Sequence, residues 1–294
     1  MGSQITGQTA IYGVIGDPIT HSLSPMIHNY LAKSLQQDVI YVPFSLSPHQ
    51  LRTGIEGAWV LGVQGLNVTI PHKETVINQL DHIDEFASQL GAVNTLKRTE
   101  KGYKGYNTDG DGLFQSLARH QVVLENKTIM IIGAGGAARA AAMMAAKKKA
   151  GRIYILNRTL QNAINLANHI QKFYDIDVQA YTLDQWDKIF NIDLCIQTTS
   201  IGMHPHIEVA PIEEPEFFSR IHTVLDVVYN PIQTKLLSLA EETGCQTING
   251  LEMLVFQAVR AYELWHETRV PMNLQEKVLD HVSQYFKPKD DQKL

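Results

Sequence analysis

An α/β architecture of two domains with mostly parallel sheets is what the sequence predicts, and three observations carry it. Strand-like and helix-length stretches alternate along the whole chain, the pattern of βα units whose strands pair in parallel. A glycine-rich turn joins an apolar strand to an alanine-rich helix within residues 129–149, as a nucleotide-binding unit begins. The length of 294 residues, 33.0 kDa, is more than one ordinary domain holds.

Taken in order, residues 11–15, 39–44 and 65–69 read as short strands, and 129–132, 153–156, 194–197 and 224–228 as a second set. Turn residues cluster at 107–112 (NTDGDG) and mark one domain boundary, and Asn249-Gly250 marks another. From there the apolar positions Leu251, Leu254, Val255, Ala258, Val259 and Tyr262 follow helical spacing. That pattern leaves open which domain the helix joins. The chain carries no internal repeat and no low-complexity segment, and its tail 287–294 (KPKDDQKL) is charged and expected to fray.

Hydrophobic residues at 44 % and charged residues at 19 % describe a globular chain rather than a disordered one. A chain of this mass buries enough surface to need neither disulfides nor a structural metal. Cys195 and Cys245 stand alone, with no CxxC pair and no zinc spacing, so we expect no metal site and a reducing, cytoplasmic setting. The formal charge of −5 argues against nucleic-acid or membrane-surface binding. The most apolar stretch, 129–146, is interrupted by Arg139 and by glycines, and reads as strand plus helix rather than a membrane span. Residues 1–10 are polar and lack the apolar core of a signal peptide.

Residues 129–139 read IMIIGAGGAAR. Gly133 permits the tight turn, Gly135 lets the backbone approach a pyrophosphate, and Ala138 is small enough for close helix–strand packing. The helix N-terminus then offers N–H groups to phosphate. Lys147, Lys148 and Lys149 end that helix before Gly151, where cations complement the helix dipole. The following strand ends in Asn157-Arg158-Thr159, where a binder of NAD places Asp or Glu against the ribose 2′-hydroxyl. A guanidinium attracts a 2′-phosphate that a carboxylate would repel, so the expected cofactor is NADP. The alternative is a capping Asn or Thr beside a solvated Arg.

Residues 13–29 read GVIGDPITHSLSPMIHN. Ser24-Pro25 reads as a helix start, with Ser24 as N-cap and Pro25 at the first helical position. Ser22 and Ser24 then present hydroxyls beside a helix N-terminus, a seat for a carboxylate. His21 and His28 belong to no metal set and read as structural. Within 65–74 (GLNVTIPHKE) a strand delivers Asn67 and Thr69, and a proline turn delivers Lys73. Asn94 follows in GAVNT and Asp109 in GYNTDG. Short polar residues at strand ends are where α/β proteins keep their sites.

Together these motifs resemble those of the shikimate dehydrogenase family. The matching segments are SLSP (22–25), NVTIPHK (67–73), GAVNT (91–95), NTD (107–109), GAGGAA (133–138), NRT (157–159), TTSIGM (198–203), DVVYNP (226–231) and GLEMLVFQ (250–257), in family order. The resemblance implies a discontinuous substrate-binding domain, 1–108 with 250–294, and an inserted NADP-binding Rossmann domain, 109–249. The helix after Gly250 would thus return to the first domain, and the substrate would sit in the cleft facing the nicotinamide. The implied reaction is reversible hydride transfer between shikimate and 3-dehydroshikimate, with NADPH as the biosynthetic donor, on the chorismate route to aromatic amino acids.

By the same resemblance, Ser22, Ser24 and Tyr229 would hold the ring carboxylate, while Asn67, Thr69, Asn94 and Gln257 would orient the ring through its hydroxyls. Lys73 and Asp109 would be the catalytic pair flanking the oxygen that changes oxidation state. Gly133, Ala134, Gly135, Gly136 and Ala137 would meet the pyrophosphate, and Asn157, Arg158, Thr159, Leu160, Gln161 and Asn162 the adenosine phosphate region. Val227 and Gly250 match positions near the nicotinamide; Glu85 matches a further cofactor position for which the sequence offers no physical reason. The implied partner is a small molecule, for a monomer or a homodimer. Two alternatives stand beside this reading: a quinate/shikimate dehydrogenase with relaxed substrate or cofactor choice, and a non-catalytic NADP-binding sensor. Such sensors commonly lose the catalytic pair, whereas Lys73 and Asp109 are both present. A metal hydrolase would have to use His204-x-His206, which sits in a Pro-containing loop.

Overall fold

Two six-stranded sheets organise the chain in the computed structural model, which describes residues 5–286. The tail 287–294, expected to fray, lies outside the described residues, as do residues 1–4. The chain runs β1 (Ala10–Gly16), α1 (Ser24–Ser34), β2 (Val39–Ser45), α2 (Leu51–Val60), β3 (Gly65–Val68), β4 (His82–Ile83), α3 (Glu85–Leu90), β5 (Thr95–Arg98) and β6 (Tyr103–Tyr106). It continues through α4 (Asp109–Arg119), β7 (Thr128–Ile132), α5 (Gly136–Lys147), β8 (Arg152–Leu156), α6 (Leu160–Gln171), β9 (Asp177–Tyr181) and β10 (Ile192–Gln197). It ends with α7 (Pro215–Phe218), β11 (Ile221–Asp226), α8 (Lys235–Glu242), β12 (Gln246–Ile248), α9 (Gly250–His266) and α10 (Met272–Ser283). Two compact units result: one takes the chain up to Thr108 together with Val255–Tyr285, the other takes Asp109–Leu254 and the chain from Phe286. The residues of α9 from Val255 onward therefore belong to the first unit.

In the first unit the strand order is β2-β1-β3-β5-β6-β4. β1 pairs in parallel with β2 and β3, as alternating βα units require. The hairpin β5–β6 departs from the parallel expectation: it is antiparallel, and β5 joins β3 antiparallel. Its turn is closed by Thr99, whose N–H donates to the Gly102 carbonyl at 2.9 Å and whose hydroxyl accepts from the Gly102 N–H at 3.2 Å. The strands bury Leu96 and Tyr103 but leave Lys97, Arg98 and Lys104 half-buried, so a search for apolar runs passes over them. The hairpin has a consequence for chemistry. The C-terminal ends of β1, β3 and β6 and the N-terminal end of β5 all open on one edge of the sheet.

Both faces of this sheet are covered. Leu66, Val68, Val93, Leu96 and Tyr103 pack with Leu51 and Ile55 of α2 on one side. On the other, Tyr12, Val14 and Tyr41 pack with Ala261 and Trp265 of α9. Ile27 and Leu31 of α1 are fully buried, each contributing about 2 kcal/mol by apolar area. Leu23, not Ser24, occupies the N-cap of α1; Ser24 is the first helical residue and Pro25 the second. The local hydrogen bond comes instead from Ser22, whose hydroxyl accepts from the Ser24 N–H at 3.3 Å.

The second unit is parallel throughout, in the order β9-β8-β7-β10-β11-β12. Numbered within the unit, this is the 3-2-1-4-5-6 arrangement of a Rossmann sheet, whose connections reverse direction between β7 and β10. α5 stops at Lys147, two residues short of the expected end, because Lys148 leaves helical geometry and Lys149 takes φ +59°. The Lys148 ammonium sits 3.8 Å from the centroid of the Phe114 ring, a cation–π contact in addition to the dipole effect. Ala138 is fully buried, as close helix–strand packing demands. Glu252, near the start of α9, ties that helix to α4: its carboxylate accepts from Ser116 Oγ at 3.2 Å and pairs with Arg119 Nε at 3.3 Å. No helix of the described residues is long and apolar enough to cross a membrane.

Candidate active site

On the open edge of the first sheet, polar side chains gather where burial would otherwise forbid them. Asn67, near the end of β3, is 6 % exposed and faces Thr95 at the start of β5. Its Nδ2 donates to the Asn94 carbonyl at 3.2 Å and to Thr95 Oγ1 at 3.1 Å, and its Oδ1 accepts from the Tyr41 hydroxyl at 2.7 Å. Asn94 Oδ1 accepts from the Thr108 backbone N–H at 2.8 Å and from Thr95 Oγ1 at 2.9 Å, while its Nδ2 donates to Thr108 Oγ1 at 3.0 Å.

Lys73 reaches this edge through its backbone, because its carbonyl accepts from the Val93 N–H at 2.8 Å, next to Asn94. Thr69, one residue past the end of β3, is held by its N–H to the Ile15 carbonyl at 3.0 Å. Asn67, Thr69, Lys73 and Asn94 thus share one edge of the first unit; Ser24 is linked to Tyr41, which bonds Asn67, and Ser22 lies in the same unit beside Ser24. Gln257 lies half-buried on the part of α9 in the same unit. Glu85 is exposed at the first position of α3, where its carboxylate accepts from Gln89 Nε2 at 3.2 Å. Asp109 follows Thr108 directly, half-buried as the first residue of α4, and is counted with the second unit.

Three members of this cluster, Tyr41, Thr95 and Thr108, were not singled out in the sequence. Thr95 and Thr108 sit inside the motifs that supplied Asn94 and Asp109, so their hydroxyls were legible in principle. Tyr41 looks like one more large residue in an apolar strand. Burial pushes its phenol well above the usual tyrosine range, with a hydrogen bond from Ser24 acting in the opposite direction.

The second unit gathers its own set at the C-terminal edge of the parallel sheet. Gly133 follows β7 with φ +116°, and a Cβ there would collide with Thr198 Oγ1, so only glycine fits. A Cβ on Gly135 or Gly136 would meet no atom within 4 Å among the described residues. Packing therefore leaves room at both positions. The N-terminus of α5 has no side-chain cap, so its N–H groups face outward beside that space. After β8, Asn157 Nδ2 donates to the Thr159 carbonyl at 2.9 Å, Arg158 and Thr159 are exposed, and Leu160, Gln161 and Asn162 open α6. Thr159 occupies the N-cap of α6, but its side chain makes no capping bond. Among the described residues no carboxylate pairs with Arg158. A bound pyrophosphate and 2′-phosphate fit these groups.

Val227 and Gly250 meet: a Cβ on Gly250 would collide with the Val227 carbonyl, and the Gly250 N–H donates to the Val228 carbonyl at 3.2 Å. The loops that follow β10 and β11 depend on residues that sequence reading did not single out. Asp226 is fully buried, accepting from the Val228 N–H at 3.0 Å, Thr234 Oγ1 at 2.7 Å and Gln197 Nε2 at 3.3 Å. Burial raises its carboxyl to about 6, with the hydrogen bonds from Val228 and Thr234 opposing the shift. Gln197 also donates to the carbonyls of Thr199 and Ile201, each at 3.1 Å, and its Oε1 accepts from the Thr199 N–H. A polar residue closing each of two apolar strands was the available signal. Tyr229 is half-buried, which raises its phenol.

A Rossmann sheet with a roomy, uncapped glycine turn, carried on the same chain as a second α/β unit with a buried polar edge, defines the class of dinucleotide-dependent oxidoreductases. Comparison with known proteins narrows this. Models of the shikimate dehydrogenase substrate binding domain, of shikimate/quinate 5-dehydrogenase and of the shikimate 5′-dehydrogenase C-terminal domain match residues 14–96, 116–218 and 250–277. The NADP+-dependent shikimate dehydrogenase of Methanosphaera stadtmanae is 42 % identical over 265 residues, covering 89 % of this chain and 93 % of that protein. A shikimate 5-dehydrogenase from Listeria monocytogenes, solved with shikimate and NAD, superposes with a TM-score of 0.89 at 31 % identity, covering 95 % of this chain and 99 % of that one. A shikimate dehydrogenase solved with NADP+ gives a TM-score of 0.88 at 37 % identity, covering 98 % and 99 %. The chain belongs to the shikimate dehydrogenase family.

Proposed function

We propose that this chain catalyses the reversible, NADP-dependent interconversion of 3-dehydroshikimate and shikimate, running toward shikimate in the biosynthesis of aromatic amino acids. The observation that carries the reading is the polar edge of the first unit. There Asn67 and Asn94 are locked by their neighbours, and the Lys73 carbonyl is bonded to the Val93 N–H. A ring bearing several hydroxyls and one carboxylate suits such a set of amides, hydroxyls and one ammonium.

Bound NADPH supplies a hydride. Reduction of a ketone would build negative charge on its oxygen, which must be met by a proton donor within hydrogen-bond reach. Lys73 takes that role, donating the proton on reduction and recovering it on oxidation. Asp109 accepts from the neighbouring hydroxyl, and Asn67, Thr69, Asn94 and Gln257 fix the ring through its hydroxyls. Ser22 already accepts from the Ser24 N–H, so its own hydrogen is left for the substrate carboxylate, which Ser24 and Tyr229 also meet. Gly133, Ala134, Gly135, Gly136 and Ala137 take the pyrophosphate, and Asn157, Arg158 and Thr159 with the first residues of α6 take the adenosine phosphate. Val227 and Gly250 stand by the nicotinamide. Glu85 is the weakest member of this set, since its carboxylate is exposed and accepts from Gln89 of its own helix.

We place the protein in the cytoplasm, as a monomer or homodimer, on its two free cysteines and a substrate that is a soluble metabolite. The test is a comparison of shikimate with quinate, each with NADP+ and with NAD+. The reading expects the shikimate and NADP+ pair to be turned over fastest. Preference for quinate or for NAD+ would select the relaxed paralogue, and no nicotinamide reduction with any pair would select the non-catalytic sensor.

A further inference from the structure

Tyr41 lies on β2, outside every motif that marks the proposed substrate site, yet its hydroxyl, which also takes a hydrogen bond from Ser24, joins a hydrogen-bonded chain that runs through that site. The direction of the chain follows from chemistry. The Thr108 backbone N–H can only donate, so Asn94 Oδ1, 2.8 Å away, must be the acceptor. Thr95 spends its single proton on the same oxygen at 2.9 Å. Thr95 Oγ1 can therefore only accept from Asn67, at 3.1 Å, and the atom facing it is Asn67 Nδ2. The opposite side of that amide, Oδ1, is turned toward Tyr41, which donates to it at 2.7 Å. Two asparagines are thus held in one orientation, between a backbone N–H at one end and a phenol at the other.

The phenol is itself held rigidly. Tyr41 is 2 % exposed and its ring stacks on His28 at 4.2 Å with an interplanar angle of 11°. Asn29 clamps its backbone, accepting from the Tyr41 N–H at 3.0 Å and donating to the Tyr41 carbonyl at 2.9 Å. A hydroxyl fixed on both ring face and backbone can impose direction on an amide.

We propose that Tyr41 is a positioning residue for the substrate, fixing through its hydroxyl the orientation of the Asn67 carboxamide that meets a ring hydroxyl. The inference rests on the reading of the site as a shikimate site. It assigns Tyr41 no part in proton transfer and no contact with the cofactor.

Tyr41→Phe keeps the stacked ring and removes only the hydroxyl. The expected result is a rise of about tenfold in KM for 3-dehydroshikimate, the scale of one hydrogen bond, with KM for NADPH unchanged and the thermal midpoint lowered by no more than a few degrees. In the Asn67→Ala background the same substitution should cost clearly less than it does alone, because Tyr41 acts chiefly through Asn67, its remaining effect running through Ser24. Should Tyr41→Phe fail to fold, Thr95→Val cuts the same chain from its other side and should give the same split between the two KM values. An unchanged substrate KM in a folded variant, a parallel rise in both KM values, or penalties that multiply in the double variant would each overturn the proposal. Absence of turnover by the unsubstituted enzyme would overturn the shikimate reading beneath it, a result distinct from any of these.

Discussion

Among the described residues, neither ring nitrogen of the buried His28 imidazole has a hydrogen-bond partner of normal geometry, and the nearby Asn67 side chain only partly offsets its burial. Unsatisfied polar atoms of this kind cost about 1–3 kcal/mol each, so its stacking on Tyr41 has to compensate. Burial lowers its pKa to about 3, from an ordinary 6.5. The sign of the consequence is fixed. Below pH 6.5 the unfolded chain takes up a proton that the folded chain refuses, so stability present above that pH is lost progressively as the pH falls toward 3. At pH 5 the loss from this residue is about 2 kcal/mol. His266, also lowered by burial, adds to the same slope. We therefore expect His28→Phe to lose less stability than the unsubstituted protein between pH 7 and pH 5, measured by urea unfolding. Parallel profiles would show that His28 carries no such penalty.

At the scale of elements, what was legible depended on whether the constraint was local. The turn after β7 was legible because its glycine answers a condition set within the turn, a positive φ that other residues rarely adopt. The end of β8 was legible for a similar reason, since a missing carboxylate is visible without the fold. From this follows a prediction for Arg158→Ala. It should weaken NADP+ binding about 10–100-fold, as loss of a charge-assisted phosphate contact does, and change NAD+ binding less than about twofold. Titration of both nucleotides would check it, and equal weakening of both would remove the 2′-phosphate assignment. The hairpin β5–β6 was not legible, because its two four-residue strands, TLKR and YKGY, carry neither an apolar run nor an apolar alternation long enough to register. Tyr41, Gln197 and Asp226 were missed because their partners are brought by other strands, and pairing across strands cannot be read from spacing along one.

Over the whole molecule, fold and function draw on one topological fact repeated twice: each sheet collects polar residues on a single edge. In the second unit the parallel strands alone achieve this. In the first, the antiparallel hairpin turns the start of β5 and the end of β6 toward the same edge as the ends of β1 and β3, delivering Asn94 and Thr108 beside Asn67. The glycine turn and the polar edge lie on different units of one chain. Asp109 opens α4, at the start of the second unit, and Gly250 opens α9, which runs from the second unit into the first.

The most direct measurement is the steady-state turnover of Lys73→Ala with shikimate and NADP+, beside its affinity for shikimate. If Lys73 is the proton donor, turnover falls about 10²–10⁴-fold, the usual contribution of general acid–base catalysis, while shikimate binds nearly as before. A Lys73→Ala enzyme that turns over at the unsubstituted rate would contradict the assignment at its centre.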